Sequence, residues 1–210
     1  MLSFPENPIN VYGKSKIIAP YDDRYTGAKS DWRSKKKLSG GGILLDQGIH
    51  LLDLLRFFNG DFNEYKSFIS NKFWNYDVED NAYVLMQSPK GVVAQLHSSA
   101  TQWRHIFNLE ITLQKGSLVL GGILTGSKSY GDETLRIITS NPEKDKGNPK
   151  ESTKKYNEDV SWDNEIKYFS HCVANNLEIE RGSIGDAIET MKLVETIYKA
   201  DPEWKKKYYN

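Results

Sequence analysis

The chain has 210 residues, of which 28 are basic and 28 acidic; 38% are apolar, and there is one cysteine. The zero net charge gives no overall attraction to nucleic acid or anionic lipid. A single cysteine, Cys172, excludes an intrachain disulfide and four-cysteine zinc sites. We therefore expect a globular protein of the cytoplasm that works on small molecules or with other proteins.

The first quarter of the chain predicts an irregular lead-in, a strand and one apolar helix. Residues 1–15 contain two prolines and show no signal-peptide pattern, residues 16–24 are a strand candidate, and residues 25–38 are polar and loop-like. Ser39 and three glycines then open a helix over residues 43–58, with Ser39 as its N-cap and Asn59-Gly60 as its stop. Since four charged or ionisable residues interrupt the run, it is too polar to span a bilayer and is expected to be buried in protein.

The middle of the chain has a β pattern. Residues 107–113 alternate apolar and polar side chains with a period of two, and residues 81–88 and 92–101 flank Pro89-Lys90-Gly91 as a hairpin. Residues 62–74, 117–120 and 133–139 are further strand candidates. Because consecutive strands joined by short turns pair antiparallel, we expect a mainly antiparallel sheet.

The last third of the chain predicts a mobile excursion followed by two helices. Residues 140–160 are rich in Lys, Glu, Asn and Pro, which is typical of a solvated loop. Residues 162–173 and 184–198 carry apolar side chains at helical spacing, and Ser183 with Asp186 resembles an N-terminal capping box. Residues 201–210 read as a tail. One helix, a run of strands and two helices indicate a single α+β domain over residues 16–200.

Three ionisable residues share one face of the apolar helix. With an advance of about 100° per residue, His50 and Asp53 fall within roughly 40° of Asp46. Carboxylates beside an imidazole can fix its tautomer, and such a histidine is suited to accept a proton from an alcohol. A hydrogen-bonded staple, a solvent-facing stripe and a metal site remain alternatives. The glycine run 40–42 permits close approach of backbone or ligand, or serves as a linker.

The segment from Ser39 to Asp53, SGGGILLDQGIHLLD, resembles the G-G-G-x-L-x-D-x-G-x-H-x-x-D signature of the glucose-fructose oxidoreductase, inositol dehydrogenase and MocA (Gfo/Idh/MocA) family. Trp32-Arg33, the segment 78–81 and residues 182–198 also stand where that family has similar residues. The resemblance implies the family's C-terminal domain, an α+β fold with an open, mostly antiparallel sheet. Helices would cover one face of this sheet, and the other face would pack against a second subunit.

The resemblance also implies hydride transfer between a sugar or polyol carbinol and NAD or NADP. Carried over by position, His50 would accept the proton, and Asp46 would bind substrate hydroxyls and orient His50. Asp53 would support the site or contact substrate. Trp32 and Arg33 would border the site, and Arg104 would reach the substrate from the strand region.

The chain departs from the family pattern at the nucleotide site. No G-x-G-x-x-G follows a strand, so the N-terminal Rossmann domain is absent from this sequence. The family's E-K-P motif is missing as well, since Glu143-Lys144 is followed by Asp145. We therefore expect a Rossmann half supplied in cis or in trans, and no turnover by the chain alone. Redox-assisted glycoside cleavage stays open, and a non-catalytic sugar-binding or assembly module is the alternative.

Overall fold

A computed structural model describes residues 10–18, 32–125 and 127–209, and it contains one eight-stranded sheet. The strands are β1 (Asn10–Ile18), β2 (Glu64–Ser70), β3 (Asn81–Gln87), β4 (Val93–Ser99), β5 (Thr101–Leu113), β6 (Gly116–Gly121), β7 (Glu133–Thr139) and β8 (Lys150–Tyr156). Their order across the sheet is β2-β3-β4-β1-β5-β6-β7-β8. Only the β1–β4 pair is parallel among these neighbours, which confirms the predicted mostly antiparallel sheet.

The helices lie before, between and after the strands. They are α1 (Lys36–Ser39), α2 (Ile49–Asn59), α3 (Pro142–Asp145), α4 (Ser161–Asn175), α5 (Ile184–Ala200) and α6 (Pro202–Tyr208). A 3-10 turn (Trp32–Ser34) precedes α1, and a π-helical turn (Leu44–Gly48) leads into α2. Over the part of the chain that the structure describes, no helix combines the length and apolar character needed to cross a bilayer.

One face of the sheet is covered by α2 and α5, which form the core with it. Burial alternates along β3, so that Ala82, Val84 and Met86 point inward. The side chains that meet them from the helices and the neighbouring strands are buried Leu51, Leu52, Leu55, Leu96, Leu109, Ile111, Leu193, Val194 and Ile197. The predicted arrangement of helices packed on one sheet face is therefore confirmed.

The opposite face of the sheet exposes large apolar side chains. Phe68 pairs in register with Tyr83 on the neighbouring strand, and both are exposed. Leu85, two residues along β3, is 49% exposed. The His97 ring stacks on Tyr83 with 4.0 Å between ring centroids. We refer to Phe68, Tyr83, Leu85 and His97 as the outer sheet face.

The strand at the start of the chain differs from the prediction. β1 begins at Asn10, inside the segment predicted to be irregular, and the structure does not describe residues 1–9 or 19–31. β1 is inserted between β4 and β5, and its backbone pairs with both. Because these partners lie more than 80 residues away in sequence, local composition gave no sign of them.

Two further elements occupy segments predicted to lack them. The predicted excursion at 140–160 contains β8, an exposed polar strand that pairs only with β7 at the edge of the sheet. Its lysines suit an edge, since charged side chains oppose pairing with another chain. The predicted tail contains α6, which begins with Asp201 as N-cap and Pro202 in the first turn, and which buries Trp204.

Candidate active site

The glycine run forms a tight turn whose amide groups are bound by a distant carboxylate. α1 ends at Ser39, and Gly40 follows with a φ of +82°. The Ser39 hydroxyl donates to the Lys35 carbonyl, so the prediction that Ser39 caps the next helix is wrong. The carboxylate of Glu79 performs this role: it accepts from the Gly42 N–H at 2.8 Å and from the Leu44 N–H at 2.9 Å. A carboxylate at a helix N-terminus is favourable because it meets unpaired N–H groups.

The glycines are required because other parts of the chain come too close for a side chain. A Cβ placed on Gly42 would lie 2.1 Å from the Glu79 carbonyl oxygen. A Cβ on Gly41 would lie 2.4 Å from the Tyr198 hydroxyl oxygen. The expectation that the run permits close approach of backbone is therefore confirmed, and the linker interpretation is wrong.

Glu79 and Tyr198 form a buried pair beneath this turn. The Tyr198 hydroxyl donates to the Glu79 carboxylate at 2.7 Å, and the two residues are each 2% exposed. Burial raises the pKa of Glu79, although the donors from Tyr198, Gly42 and Leu44 act to lower it. Burial, followed by the Glu79 charge, raises the pKa of Tyr198 well above its ordinary value, so the phenol stays a hydrogen-bond donor.

A small polar pocket opens where the turn meets the π-helical segment. It has a volume of about 170 Å³, and Trp32, Arg33 and Asp46 all line it, with Ser39, Gly41, Gly42 and Leu45. The Arg33 guanidinium lies over the Trp32 ring, 4.6 Å from its centroid. The structure thus brings together three of the residues that the sequence singled out. π-Helical turns are often found at functional sites, and here one places Asp46 in the pocket wall.

The remaining two residues of the polar stripe lie in different surroundings. His50, in the first turn of α2, is exposed to solvent and does not line the pocket. The Asp53 carboxylate accepts from the Thr190 hydroxyl of α5 at 3.0 Å, and Thr190 in turn accepts from Arg56 at 2.9 Å. The even 100° advance assumed for the stripe does not hold, because the π-helical turn winds less per residue than an α-helix. Asp53 therefore links α2 to α5.

Arg104 and the metal alternative find no support in this geometry. Arg104 is exposed on β5, beside Gly131, and it is not among the residues that line the pocket. Within residues 10–18, 32–125 and 127–209, no three His, Cys, Asp or Glu side chains are grouped to hold a metal ion. The interpretation of Asp46, His50 and Asp53 as metal ligands thus lacks a ligand set.

The two residues that fix the turn, Glu79 and Tyr198, are not among the predicted site residues. Glu79 lies 35 residues after Leu44, and Tyr198 lies on α5 near the end of the chain. The sequence places Tyr198 only on the apolar face of its helix. The segment 78–81 resembles the family, and its acidic residues directly before a predicted strand are the signal that points to Glu79.

An open sheet, helices on one face and a small pocket at a glycine-rich turn together describe an α+β domain. The family model described as the GFO/IDH/MocA C-terminal domain matches residues 15–119. The chain therefore belongs to the Gfo/Idh/MocA family and corresponds to its C-terminal domain, as the resemblance implied.

Proteins similar to this chain include a curated sugar reductase and several solved oxidoreductases. The chain is 32% identical over 107 residues to the 1,5-anhydro-D-fructose reductase of Ensifer adhaerens, a match that covers 50% of this chain and 32% of the reductase. Levoglucosan dehydrogenase, solved with NADH and levoglucosan, superimposes with a TM-score of 0.76 at 15% identity, over 94% of this chain and 57% of that protein. The aldose-aldose oxidoreductase of Caulobacter crescentus, solved with glycerol, gives a TM-score of 0.71 at 19% identity, over 93% of this chain and 54% of that protein. The chain thus spans little more than half the length of these solved relatives.

Proposed function

We propose that this chain is the substrate-binding and oligomerisation half of an NAD(P)-dependent sugar or polyol dehydrogenase. The observation that carries this proposal is the convergence of Trp32, Arg33 and Asp46 in one pocket, at the start of the helix that bears His50. Asp46 offers an acceptor for sugar hydroxyls, and the Arg33 guanidinium offers donors. An imidazole nitrogen of His50 would accept the proton from the hydroxyl group that is oxidised. The dinucleotide, when bound, supplies the hydride acceptor.

The size of the pocket indicates that the site is only half built. Its volume of about 170 Å³ is below the roughly 300 Å³ at which small-molecule pockets usually begin. His50 stands outside it and faces solvent. A second surface placed against this side would enlarge the pocket and enclose His50 with the substrate. This supports a site that is shared between two domains rather than one formed by this chain alone.

The described residues do not fit the dinucleotide itself. A pyrophosphate is normally bound by free N–H groups of a glycine turn at a helix N-terminus. Here the Gly42 and Leu44 N–H groups already bind the Glu79 carboxylate, whose charge would repel a phosphate. NAD or NADP would therefore be held by a Rossmann half, either fused to this chain or supplied in trans.

The proposal is tested by reconstitution. This chain is mixed with a dinucleotide-binding domain encoded beside its gene. Reduction of NAD⁺ or NADP⁺ is followed with levoglucosan, and oxidation of NADH or NADPH is followed with 1,5-anhydro-D-fructose. We expect turnover only from the mixture. His50→Asn is expected to lower kcat by at least about 100-fold, which is the lower range for loss of a general base. His171→Asn, on the exposed surface of α4, is the matched control and should leave kcat unchanged.

The alternative, a non-catalytic sugar-binding or assembly module, is favoured by the occupied glycine turn. It predicts that no mixture turns over, although levoglucosan still binds and Asp46→Asn weakens that binding. Calorimetry of the chain with levoglucosan, alone and mixed, separates the two functions. Reconstituted turnover would exclude the module.

We further propose that the outer sheet face joins two copies of this chain and that the protein works in the cytoplasm. Phe68, Tyr83 and Leu85 are too exposed for a face that stays in water, and a sheet covered on one side needs a partner on the other. The buried free thiol of Cys172 is in keeping with a reducing compartment.

A further inference from the structure

The run of three lysines ahead of the glycine turn contains one side chain that turns away from solvent. Lys36 is half-buried, whereas its two neighbours in the run are exposed. Its ammonium nitrogen lies 4.7 Å from the ring centroid of Tyr208, 5.3 Å from that of Tyr198 and 5.5 Å from that of Tyr209. Each ring attracts a cation because its π face carries negative partial charge. Lys36 therefore occupies a cage of three tyrosines.

The cage is built by the end of the chain. Tyr198 belongs to α5, Tyr208 is the last residue of α6, and Tyr209 follows it. The buried indole of Trp204 lies between two of these rings, with its centroid 6.4 Å from that of Tyr198 and 4.5 Å from that of Tyr208. Aromatic rings at such distances attract one another, so the cage is held in shape before it meets the lysine.

Lys36 belongs to a segment that forms part of the pocket wall. We call residues 32–39 the pocket arm. Three of its residues line the pocket: Trp32, Arg33 and Ser39. The Lys36 N–H donates to the Asp77 carboxylate at 2.9 Å, and the Lys36 ammonium group donates to the Gly40 carbonyl at 3.3 Å. One residue thus joins the pocket arm to the glycine turn, to the segment that carries Glu79 and to the end of the chain.

The pocket arm depends on such attachments for its shape. Trp32 is 49% exposed and Leu38 is 62% exposed, and neither α1 nor the 3-10 turn before it contains a buried residue. The α1 helix has four residues, whereas isolated helices shorter than about 12 residues are marginal in water. Contacts with the rest of the fold must therefore hold the pocket arm in place.

We infer that Lys36 is a positioning residue of the pocket, through which the C-terminal tyrosines hold the pocket arm beside Asp46. This inference rests on the proposed function, and it names the residue that sets the place of Arg33 relative to Asp46. Groups that bind one small ligand together must keep their separation to within roughly 0.5 Å. Without the Lys36 cation the pocket arm would loosen, while the glycine turn would stay bound to Glu79.

Three substitutions in the full chain isolate the cation. Lys36→Met removes the charge and keeps a side chain of similar length. Lys36→Arg keeps the charge, and it should rescue the arm because a guanidinium is also attracted by aromatic rings. Lys37→Met is the matched control, since Lys37 is an exposed neighbour in the same helix.

Amide hydrogen exchange measured by NMR tests the attachment without an activity assay. In α1 the Ser39 N–H donates to the Lys35 carbonyl at 2.9 Å, and the Gly40 N–H donates to the Lys36 carbonyl at 2.7 Å. We expect both amides to exchange at least about 5-fold faster in Lys36→Met, and at the wild-type rate in the other two variants. The amides that Glu79 binds, those of Gly42 and Leu44, should keep the wild-type rate in all three.

Calorimetry with levoglucosan tests whether the pocket arm serves the pocket. Lys36→Met is expected to raise the Kd by about 10-fold, Lys36→Arg by less than about 3-fold, and Lys37→Met should leave it unchanged. In a reconstituted mixture that turns over, the same variant should raise KM by a similar factor and change kcat by less than about 3-fold. That division is expected when substrate binding is weakened and the chemical step is not.

The outcomes separate this inference from the proposed function. Wild-type exchange of the α1 amides in Lys36→Met would show that Lys36 does not hold the pocket arm. Equal acceleration at Gly42 and Leu44 would indicate a general loss of stability and would also overturn the inference. Acceleration confined to α1 with an unchanged Kd would refute the positioning role while the proposed function stands. A wild-type chain that binds no levoglucosan, alone or mixed, counts against the proposed function, and the exchange rates then still decide whether Lys36 holds the arm.

Discussion

Replacing Tyr198 with phenylalanine isolates the hydrogen bond that holds the glycine turn. The substitution removes one oxygen atom and leaves the ring in place. The hydroxyl donates to the Glu79 carboxylate at 2.7 Å within a buried pair. Hydrogen bonds to charged groups contribute about 1.5–3 kcal/mol, compared with about 0.5–1.5 kcal/mol for neutral pairs. We therefore expect Tyr198→Phe to lower the free energy of unfolding by about 1.5–3 kcal/mol when Glu79 is ionised.

The same bond predicts a dependence on pH with a definite sign. Burial raises the pKa of Glu79 above its unfolded value, so its stabilising contribution is greatest below pH 4.5 and is lost as the pH rises through the raised pKa. The Tyr198 donor opposes that loss because it stabilises the ionised carboxylate. Removing the donor raises the pKa of Glu79 further. The cost of Tyr198→Phe should therefore be larger at pH 8 than at pH 4.

Urea denaturation at several pH values measures these differences. A double-mutant cycle with Glu79→Gln measures the coupling energy between Tyr198 and Glu79. In the Glu79→Gln background the tyrosine bonds to a neutral amide, so we expect Tyr198→Phe to destabilise the protein by about 1 kcal/mol less than in the wild-type background. Tyr208→Phe is the matched control, since the Tyr208 hydroxyl is buried and has no hydrogen-bond partner among the described residues. It should be neutral or slightly stabilising. A Tyr198→Phe cost below about 0.5 kcal/mol, or one that does not vary with pH, would refute the role assigned to the pair.

Three other substitutions test the turn, the last helix and the outer sheet face. Gly41→Ala should lower the free energy of unfolding by about 1–3 kcal/mol, because the added methyl group would overpack against the Tyr198 hydroxyl, and by less in a Tyr198→Phe background. Equal losses in the two backgrounds, measured by urea denaturation, would contradict the 2.4 Å approach of a Gly41 Cβ to that hydroxyl. Asp201→Ala should lower the free energy of unfolding by about 1–3 kcal/mol, because the Asp201 carboxylate accepts from the Trp204 N–H at 2.8 Å and from the Ile69 N–H at 2.7 Å. In thermal unfolding, Asp201→Asn should recover part of this lost stability. Phe68→Asp should halve the mass of the wild-type oligomer measured by light scattering, and a monomeric wild-type chain would exclude that assembly.

The elements with local signals were predictable from sequence. The period of two at residues 107–113 predicted a strand that lies within β5, where Leu109 and Ile111 are buried. The strand candidate at residues 133–139 has the bounds of β7. The Ser183 hydroxyl accepts from the Asp186 N–H, as the capping box predicted. The helix α2 ends at Asn59 as predicted, and Gly60 follows with a φ of +79° and a ψ of −160°, which is outside the left-handed helical region. For the helix cap and the helix stop, the determining residues are close neighbours in sequence.

The features that escaped prediction depend on distant partners. β1 becomes a strand because β4 and β5 supply hydrogen bonds on both sides, and β8 because β7 leaves an open edge. The α6 helix is an exception, since Asp201-Pro202 is a local start signal for a helix that the prediction of a tail did not use. At the site, Asp46 of the family signature lies in the wall of the pocket, whereas His50, beyond the π-helical turn, is exposed outside it.

The glycine turn shows why the same residue type can indicate opposite functions. A glycine run before a helix leaves several N–H groups without partners, and in a nucleotide-binding loop these groups bind phosphate. Here Glu79 binds the Gly42 and Leu44 amides, and its backbone stands where a Cβ would be. The turn therefore fixes the position of Asp46 instead of binding a cofactor. A turn built in this way holds Asp46 in the pocket wall while its Gly42 and Leu44 amides are already bound by Glu79. Under the proposed function, the dinucleotide would therefore be held by a second domain beside the pocket.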